Sequence, residues 1–469
     1  MFSMENDELN GAVVDGKASS SSRSDYNNEG YFLRAQYDFM NTMFLSASYR
    51  RDASSRFHPD HRWGNFWSLG AGWILNHESW FPQYPWLDML KAKASIGSQG
   101  NDNIGNYLYT NTYYLSNNEG RPALNFGQRG NEDITWETNT NFNAGVDFEM
   151  LRGRLTGSVE YFSRKTTDML FFFTVPASLG YGGYYDNVGD MANRGIELST
   201  NITLKRTRDL DWSCYFNLTH YKNKITYLAE DKKTVTIDGH SGYANGNYFV
   251  GEGLALNTFY MPKYAGVDQN TGESLWYRTA EDGTLVTTNE YSGNNGAENY
   301  LCEDPTPDFY GGFGTTLNYK GFDVSVAFTY SVGGFAYDSG YAGYMSSPVA
   351  GSQGTNFHKD LLKAWTKDKP SNEIPRFQYN DQYTARMSDR FLTDASYLNF
   401  QNAQVGYTVP EVYTKMMHLT KMRVYVACDN IWYCSRRQGF DPRFSLTGGT
   451  NNTVTSPVRT ISGGINLTF

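Results

Sequence analysis

Apolar and polar residues alternate with a period of two along much of this chain. From Phe322 to Val332, the residues Phe322, Val324, Val326, Phe328, Tyr330 and Val332 fall on one face of an extended segment. Asp323, Ser325, Ala327, Thr329 and Ser331 fall on the other. This period marks a β-strand with one apolar face. Eleven residues of sustained alternation suit a tilted membrane-spanning strand of about 9–11 residues. The pattern recurs at Met43–Tyr49, Phe142–Phe148 and Ile196–Leu204. At the far end, Ile461, Gly463, Ile465, Leu467 and Phe469 oppose Thr460, Ser462, Gly464, Asn466 and Thr468, the pattern of a closing barrel strand.

The connections alternate too. Short ones stand at Met40-Asn41, Leu151-Arg152-Gly153, Lys205 to Asp211 and Lys320-Gly321. Long ones, rich in Asn, Gly, Tyr and Ser, cover roughly 99–135, 166–190, 225–246, 279–306, 334–395 and 435–455. Tight turns at one end and large loops at the other belong to outer-membrane barrels. The fold class expected is an all-β transmembrane antiparallel β-barrel of about fifteen strands, with 247–255 and 258–268 read as two of them. Residues 1–27 read as the remnant of an outer loop, and 28–469 as the C-terminal part of the barrel. With Phe469 at the periplasmic rim, every long loop lands outside. The first strand, near Tyr31–Phe39, then runs in the same sense as the last, so a closed single-chain barrel of even strand number requires further strands. Within 334–395, FHKDLLKAW (357–365) reads as one or two helical turns with Pro370 beyond it.

Composition narrows the class. Aromatics are 16% of the chain, with 36 tyrosines, far too many for a disordered chain. No apolar run reaches the 18 residues of a helical span. A net charge of −9 argues against nucleic acid as a partner. Cys214, Cys302, Cys428 and Cys434 have no metal-ligand spacing, and Cys214 and Cys428, on apolar strand faces, read as small hydrophobes. MFSMENDELNG at the start carries no basic and apolar leader pattern, which for an exported chain suggests a mature piece or a fragment.

Candidate chemistry is sparse. His58-Pro59-Asp60-His61 offers only two ligands interrupted by proline, and Gly100-Asn101-Asp102-Asn103 lacks the spacing of a calcium loop; turns are the plainer reading of both. Nothing resembles a nucleophile elbow. No metal, cofactor or enzyme activity is expected. Trp63, Tyr113, Tyr114, Tyr184, Tyr185, Tyr341 and Tyr344 fall on expected outer loops, where rings stack on sugars or peptides, meet a partner, or pack the loops together. Arg50, Asp147, Glu160, Glu197 and Asp323 fall on the polar, lumen-facing side. Tyr49, Tyr161, Tyr330 and Tyr407 stand near strand ends, as in an interfacial girdle.

LKAKASIGSQGNDNIGNY (90–107), ITWETNTNFNAGVDFEMLRGRLTGSVEYFSRKTTDML (134–170), NVGDMANRGIELSTNI (187–202), SDRFLTDASYLNFQNAQVGYTVP (388–410), MRVYVACDNIWYCSRRQGFDPR (422–443) and RTISGGINLTF (459–469) together resemble the SusC/RagA-type TonB-dependent outer-membrane transporters. The resemblance implies a 22-stranded barrel around an N-terminal plug, of which this chain supplies the last part; the plug, TonB box and early strands are absent. It also implies a SusD-like lipoprotein lid, TonB coupling through the missing N-terminal region, an oligosaccharide or peptide substrate, and the outer membrane of a Gram-negative bacterium. The alternative is a soluble all-β surface glycan-binding protein.

Overall fold

The alternating segments pair with one another in chain order. The structure, a computed structural model, describes residues 23–469 except 119–120, 352–353, 382–383, 445–446 and 450–455. Most of the segment 1–27, expected as an outer-loop remnant, lies outside the described residues. Thirteen strands form one sheet, numbered here in chain order. They are β1 (Asn28–Phe39), β2 (Met43–Ser54), β3 (Trp63–Ile74), β4 (Leu87–Asn101), β5 (Glu137–Met150), β6 (Leu155–Thr167), β7 (Gly189–Arg206), β8 (Leu210–Leu228), β9 (Phe309–Tyr319), β10 (Phe322–Val332), β11 (Tyr397–Thr408), β12 (Lys421–Ser435) and β13 (Thr460–Thr468). Each pairs antiparallel with its sequence neighbours. The large antiparallel sheet is the expected fold class. β1 and β13 stand at its two edges and run in the same sense, so the sheet is open.

Thirteen strands are two fewer than the fifteen expected, and the difference lies in 247–268. Those residues form Tyr248–Gly251, Thr258–Pro262 and Tyr264–Val267, which belong to small separate sheets in the connection between β8 and β9. Phe249 and Val250 are both buried. Two consecutive buried side chains point to opposite faces of a strand, a pattern of two-sided packing that a wall strand facing lipid does not have. The FHKDLLKAW segment does turn, as a 3-10 helix over Lys359–Lys363.

The connections 40–42, 75–86, 151–154, 207–209, 320–321 and 409–420 lie at one end of the sheet; the other end holds 102–136, 168–188, 229–308, 333–396 and 436–459, together with the eight-residue 55–62. The tightest turns show why. Met40 and Asn41 have φ of 55° and 53°, and Lys320 and Gly321 have 46° and 90°. Positive φ at both central residues is the mirror-image turn whose twist matches the flanking strands.

On one face the sheet is apolar and bare. Leu33 is 72% exposed, Leu45 and Leu69 53%, and Val426 56%; among the described residues no second sheet covers them. On the other face, glycines are covered by rings from the neighbouring strand. A Cβ at Gly314 would come 2.5 Å from Cε1 of Tyr215, and one at Gly464 2.6 Å from the ring of Tyr425. Such aromatic cover fills the gap a glycine leaves in a strand. Gly314→Val should therefore cost about 1–3 kcal/mol through overpacking. Gly463→Ala, whose Cβ would meet nothing nearer than 3.7 Å, should change stability by less than about 0.5 kcal/mol. Urea midpoints of the two variants check the contrast.

Candidate functional site

The polar face carries charges that pair across three strands. Lys93 on β4 stands opposite Gly145 on β5, which in turn stands opposite Glu160 on β6. Because position 145 has no side chain, the lysine reaches over it. Its Nζ lies 2.9 Å from Asp147 and 2.9 Å from Glu160. The same device recurs at the other side of the sheet. Arg423 on β12 crosses Gly406 on β11 and binds Asp323 on β10, with Nε–Oδ1 at 2.9 Å and Nη2–Oδ2 at 2.5 Å. A Cβ at Gly406 would sit 2.5 Å from that guanidinium. Arg50 binds Asp52 of its own strand at 2.6 Å. Glu197 stands in register with Glu160, whose charge Lys93 already engages. Lys93 and Arg423 were not singled out from sequence. Their partners lie two strands away, and the glycine between them is the readable signal only once the register is known.

At the long-loop end the connections fold into packed bodies together with residues of the adjoining wall strands. One holds Phe57, Phe66, Ile104, Leu108, Ile134 and Trp136, with Tyr185 against it. Another holds Ala342, Met345, Ala364, Ile374 and Phe391, with Tyr341 against it. A third holds Ile225, Leu228, Tyr243 and Val250. Asp102, in the segment weighed as a calcium loop, accepts from Ser54 Oγ at 2.6 Å and Tyr26 OH at 3.0 Å and lies 3.6 Å from Arg56 Nη1. It ties the 55–62 and 102–136 connections together. His58 turns to Asp60 and to the ring of Tyr109, while His61 faces Asp133 at 3.9 Å.

The aromatic candidates separate into groups. Trp63 is not in a loop: it opens β3, on the same face as Trp67 and Leu69, and stacks on Tyr31 with centroids 6.3 Å apart. The Tyr184 hydroxyl accepts from Lys232 Nζ at 3.0 Å, and its ring takes Arg129 at 4.8 Å. Tyr185 packs edge-on against Phe172. Tyr341 donates to Asp360 at 3.1 Å and lies under the Arg437 guanidinium at 3.7 Å. Burial drives its phenol up to about 12, with the Asp360 hydrogen bond adding to the effect. Tyr113, Tyr114 and Tyr344 remain exposed. Tyr113 joins a chain of rings with Phe126 and Tyr181, at 5.6 and 5.9 Å.

Lys232 is the buried centre of this region. It is fully buried, with Nζ 2.7 Å from Asp186 and 2.8 Å from Asp231, and it faces the rings of Phe173 and Tyr184. Burial alone pulls its ammonium down, but the hydrogen bonds to Asp186, Asp231 and Tyr184 outweigh that and hold it well above the ordinary lysine range. Nothing in the local sequence EDKK (230–233) distinguishes this lysine from a solvated one.

Residues 3–431 match the family described as TonB dependent receptor-like, beta-barrel. The TonB-dependent receptor P3 of Formosa agariphila is 27% identical over 482 residues, covering 97% of this chain and 47% of that protein. The TonB-dependent receptor SusC of Bacteroides thetaiotaomicron is 28% identical over 428 residues, 88% of this chain and 41% of that protein. Among solved structures, that of the RagAB peptide transporter superposes with a TM-score of 0.79 at 29% identity, over 95% of this chain and 48% of that one. The chain thus spans about half the length of the relatives it matches. Matched over most of its own length, and with a bare apolar face that an outer-membrane bilayer covers, the chain belongs to the TonB dependent receptor-like β-barrel family.

Proposed function

We propose that the chain forms the later wall and outer loops of an active outer-membrane importer of oligomeric nutrients, peptides or glycans, and catalyses no reaction. A SusD-like lipoprotein closes its outer mouth, and TonB drives transport through a region outside this sequence. One observation carries the reading: thirteen consecutive wall strands with every large loop at one end, superposing on the RagAB peptide transporter over 95% of their chain. The open edges at β1 and β13 fit the same reading, since unpaired strand groups in hydrocarbon each cost several kcal/mol and need further strands of the barrel. A soluble glycan-binding sandwich is disfavoured because its apolar face would be covered by a second sheet.

In this reading Arg50, Asp147, Glu160, Glu197 and Asp323 face the lumen, where their pairing with Lys93 and Arg423 braces the wall against a plug. Residues 23–27 belong to an outer loop, and 28–469 to the barrel. Exposed Tyr113, Tyr114 and Tyr344 contact substrate or lid. Trp63 sits in the outer aromatic girdle, and Tyr184, Tyr185 and Tyr341 hold loops in place. Peptide and oligosaccharide panels offered to cells carrying the complete receptor and its lid lipoprotein test the assignment. Uptake of one class that disappears without TonB is expected, with affinity weakened in Tyr113→Ala/Tyr114→Ala and unchanged in Trp63→Phe. Uptake independent of TonB, or cleavage of the offered oligomer, would overturn it.

A further inference from the structure

On the bare apolar face, the β7–β8 pair ends in a patch of cations. Leu198 stands opposite Leu218 and Ile196 opposite His220; the next pairs on the same face are Arg194 opposite Lys222 and Ala192 opposite Lys224. Directly opposed side chains in an antiparallel pair point to the same side of the sheet. These cations therefore lie on the outside of the wall, toward its long-loop end. Below them the outward positions Leu204, Ile202, Thr200, Leu198 and Ile196 form the band. At about 3.4 Å per residue and a tilt near 40°, that stretch rises roughly 20 Å, close to the ~25 Å apolar belt of a membrane barrel. Arg194 and Lys222 thus stand at the upper edge of the belt.

The patch holds three cations against one carboxylate, Glu252. The nearby carboxylates are engaged elsewhere, Asp190 with Lys165 at 2.9 Å and Glu252 with Lys233 at 3.1 Å. Among the described residues, Arg194, Lys222 and Lys224 make no ion pair, and all three are exposed. Like charges set directly opposite destabilise a strand pair, and this one persists in a protein of net charge −9. Together with His220, His240 and one carboxylate, Glu252, they line a recess of about 940 Å³ whose lower wall is Ile196 and Tyr161. Its roof is fixed: Gly253 N donates to Ile225 O at 2.9 Å, Ile225 N to Leu254 O at 2.8 Å, and His240 Nδ1 lies 2.7 Å from Glu252 O.

We propose that Arg194, Lys222 and Lys224 bind a phosphate-bearing lipid headgroup of the outer leaflet. Arginine and lysine suit phosphate by bidentate and point-charge contact respectively. The apolar wall directly beneath selects a lipid over a free anion, because acyl chains continue down the belt where a soluble phosphate would meet only Ile196 and Tyr161. The inference rests on the reading of the bare face as lipid-facing, and it is independent of what the receptor imports.

The test uses the complete receptor in detergent micelles and three probes: a diphosphorylated acylated glucosamine lipid, the same lipid with its phosphates removed, and inorganic phosphate. Native mass spectrometry and thermal shift report binding. The wild-type protein should bind the phosphorylated lipid, and Arg194→Ala/Lys222→Ala/Lys224→Ala should weaken it about 100-fold, at roughly one surface cation's attraction to an anionic leaflet per residue. Arg194→Lys/Lys222→Arg/Lys224→Arg, which keeps the charge, should retain binding and guards against a folding defect. The dephosphorylated lipid should bind both proteins equally weakly. Equal binding of phosphorylated lipid by wild type and the alanine variant would overturn the site. Displacement of the lipid by equimolar inorganic phosphate would overturn the lipid as its occupant. Either failure leaves the lipid-facing wall standing, because arginine substitution within the belt measures that separately.

Discussion

Val326→Arg should destabilise the membrane-embedded receptor by about 2–4 kcal/mol, while Ser325→Arg, one residue away, should cost less than about 1 kcal/mol. Val326 lies mid-way along β10, between Thr315 on β9 and Ala403 on β11. Its side chain belongs to the bare apolar face, which only hydrocarbon covers. A guanidinium there must shed its hydration or drag water into the belt. Ser325 lies between Thr316 and Gln404, on the polar face that carries the Asp323–Arg423 pair, where a charge keeps its solvent. Both strands flanking β10 are present, so neither substitution is confounded by an open edge. Urea unfolding of the complete receptor in lipid vesicles reads the difference. Equal costs at the two positions would mean that the apolar face does not meet the bilayer, and the importer reading would fall with it. The contrast is also larger than either backbone propensity or cross-strand pairing supplies, since both are worth at most about 1 kcal/mol.

The alternation that makes this contrast possible was readable directly, because a period of two assigns every residue of a half-buried strand to a face. It gave Phe322–Val332 with the bounds β10 has, and it gave the polar placement of Asp147, Glu160 and Asp323. It failed at 247–268, where the local run is β-forming but buried on both sides; period and propensity cannot tell a wall strand from a strand packed inside a loop. Side-chain partners were harder still. That Lys93 reaches Glu160 depends on Gly145 lying between them, a relation of register across strands separated by a 35-residue connection at 102–136. Trp63 shows the same limit at a boundary: one residue of strand length moved it from an expected loop to the lipid-facing wall. The loop tyrosines were found as exposed candidates, but whether a ring meets substrate or its own loop depends on residues far away, such as Arg437 over Tyr341.

Asp186→Ala should cost the outer loops about 3–5 kcal/mol of local stability, the usual loss when one partner of a buried ion pair is removed and the other stays charged. Lys232 is fully buried and joins the Leu170–Asn187 hairpin, through Asp186 and Tyr184, to the segment that leaves β8. Asp231 remains beside it at 2.8 Å, but its side chain is 65% exposed, so its charge is screened and offsets little. The double variant Asp186→Leu/Lys232→Met removes both charges while keeping bulk against Phe173, and should recover most of the loss, because well-packed apolar replacements of a buried pair are commonly neutral or better. The pH dependence has a definite sign. The Lys232 ammonium is held above its ordinary range, so its contribution is fully present below the unfolded lysine value of about 10.4 and fades only as pH rises beyond that. Between pH 6 and about 9 the wild-type loops should therefore show no change attributable to Lys232. Hydrogen exchange at Ala229 and Met169, whose amides donate to Val188 and Gly189 at 3.1 and 2.9 Å, measures the opening. Faster exchange there in Asp186→Ala, with the wall amides of β7 and β8 unaffected, would separate loop detachment from barrel unfolding. Unchanged exchange would show that the hairpin is held by its aromatic packing on Tyr243 and Phe57's cluster rather than by the buried charge.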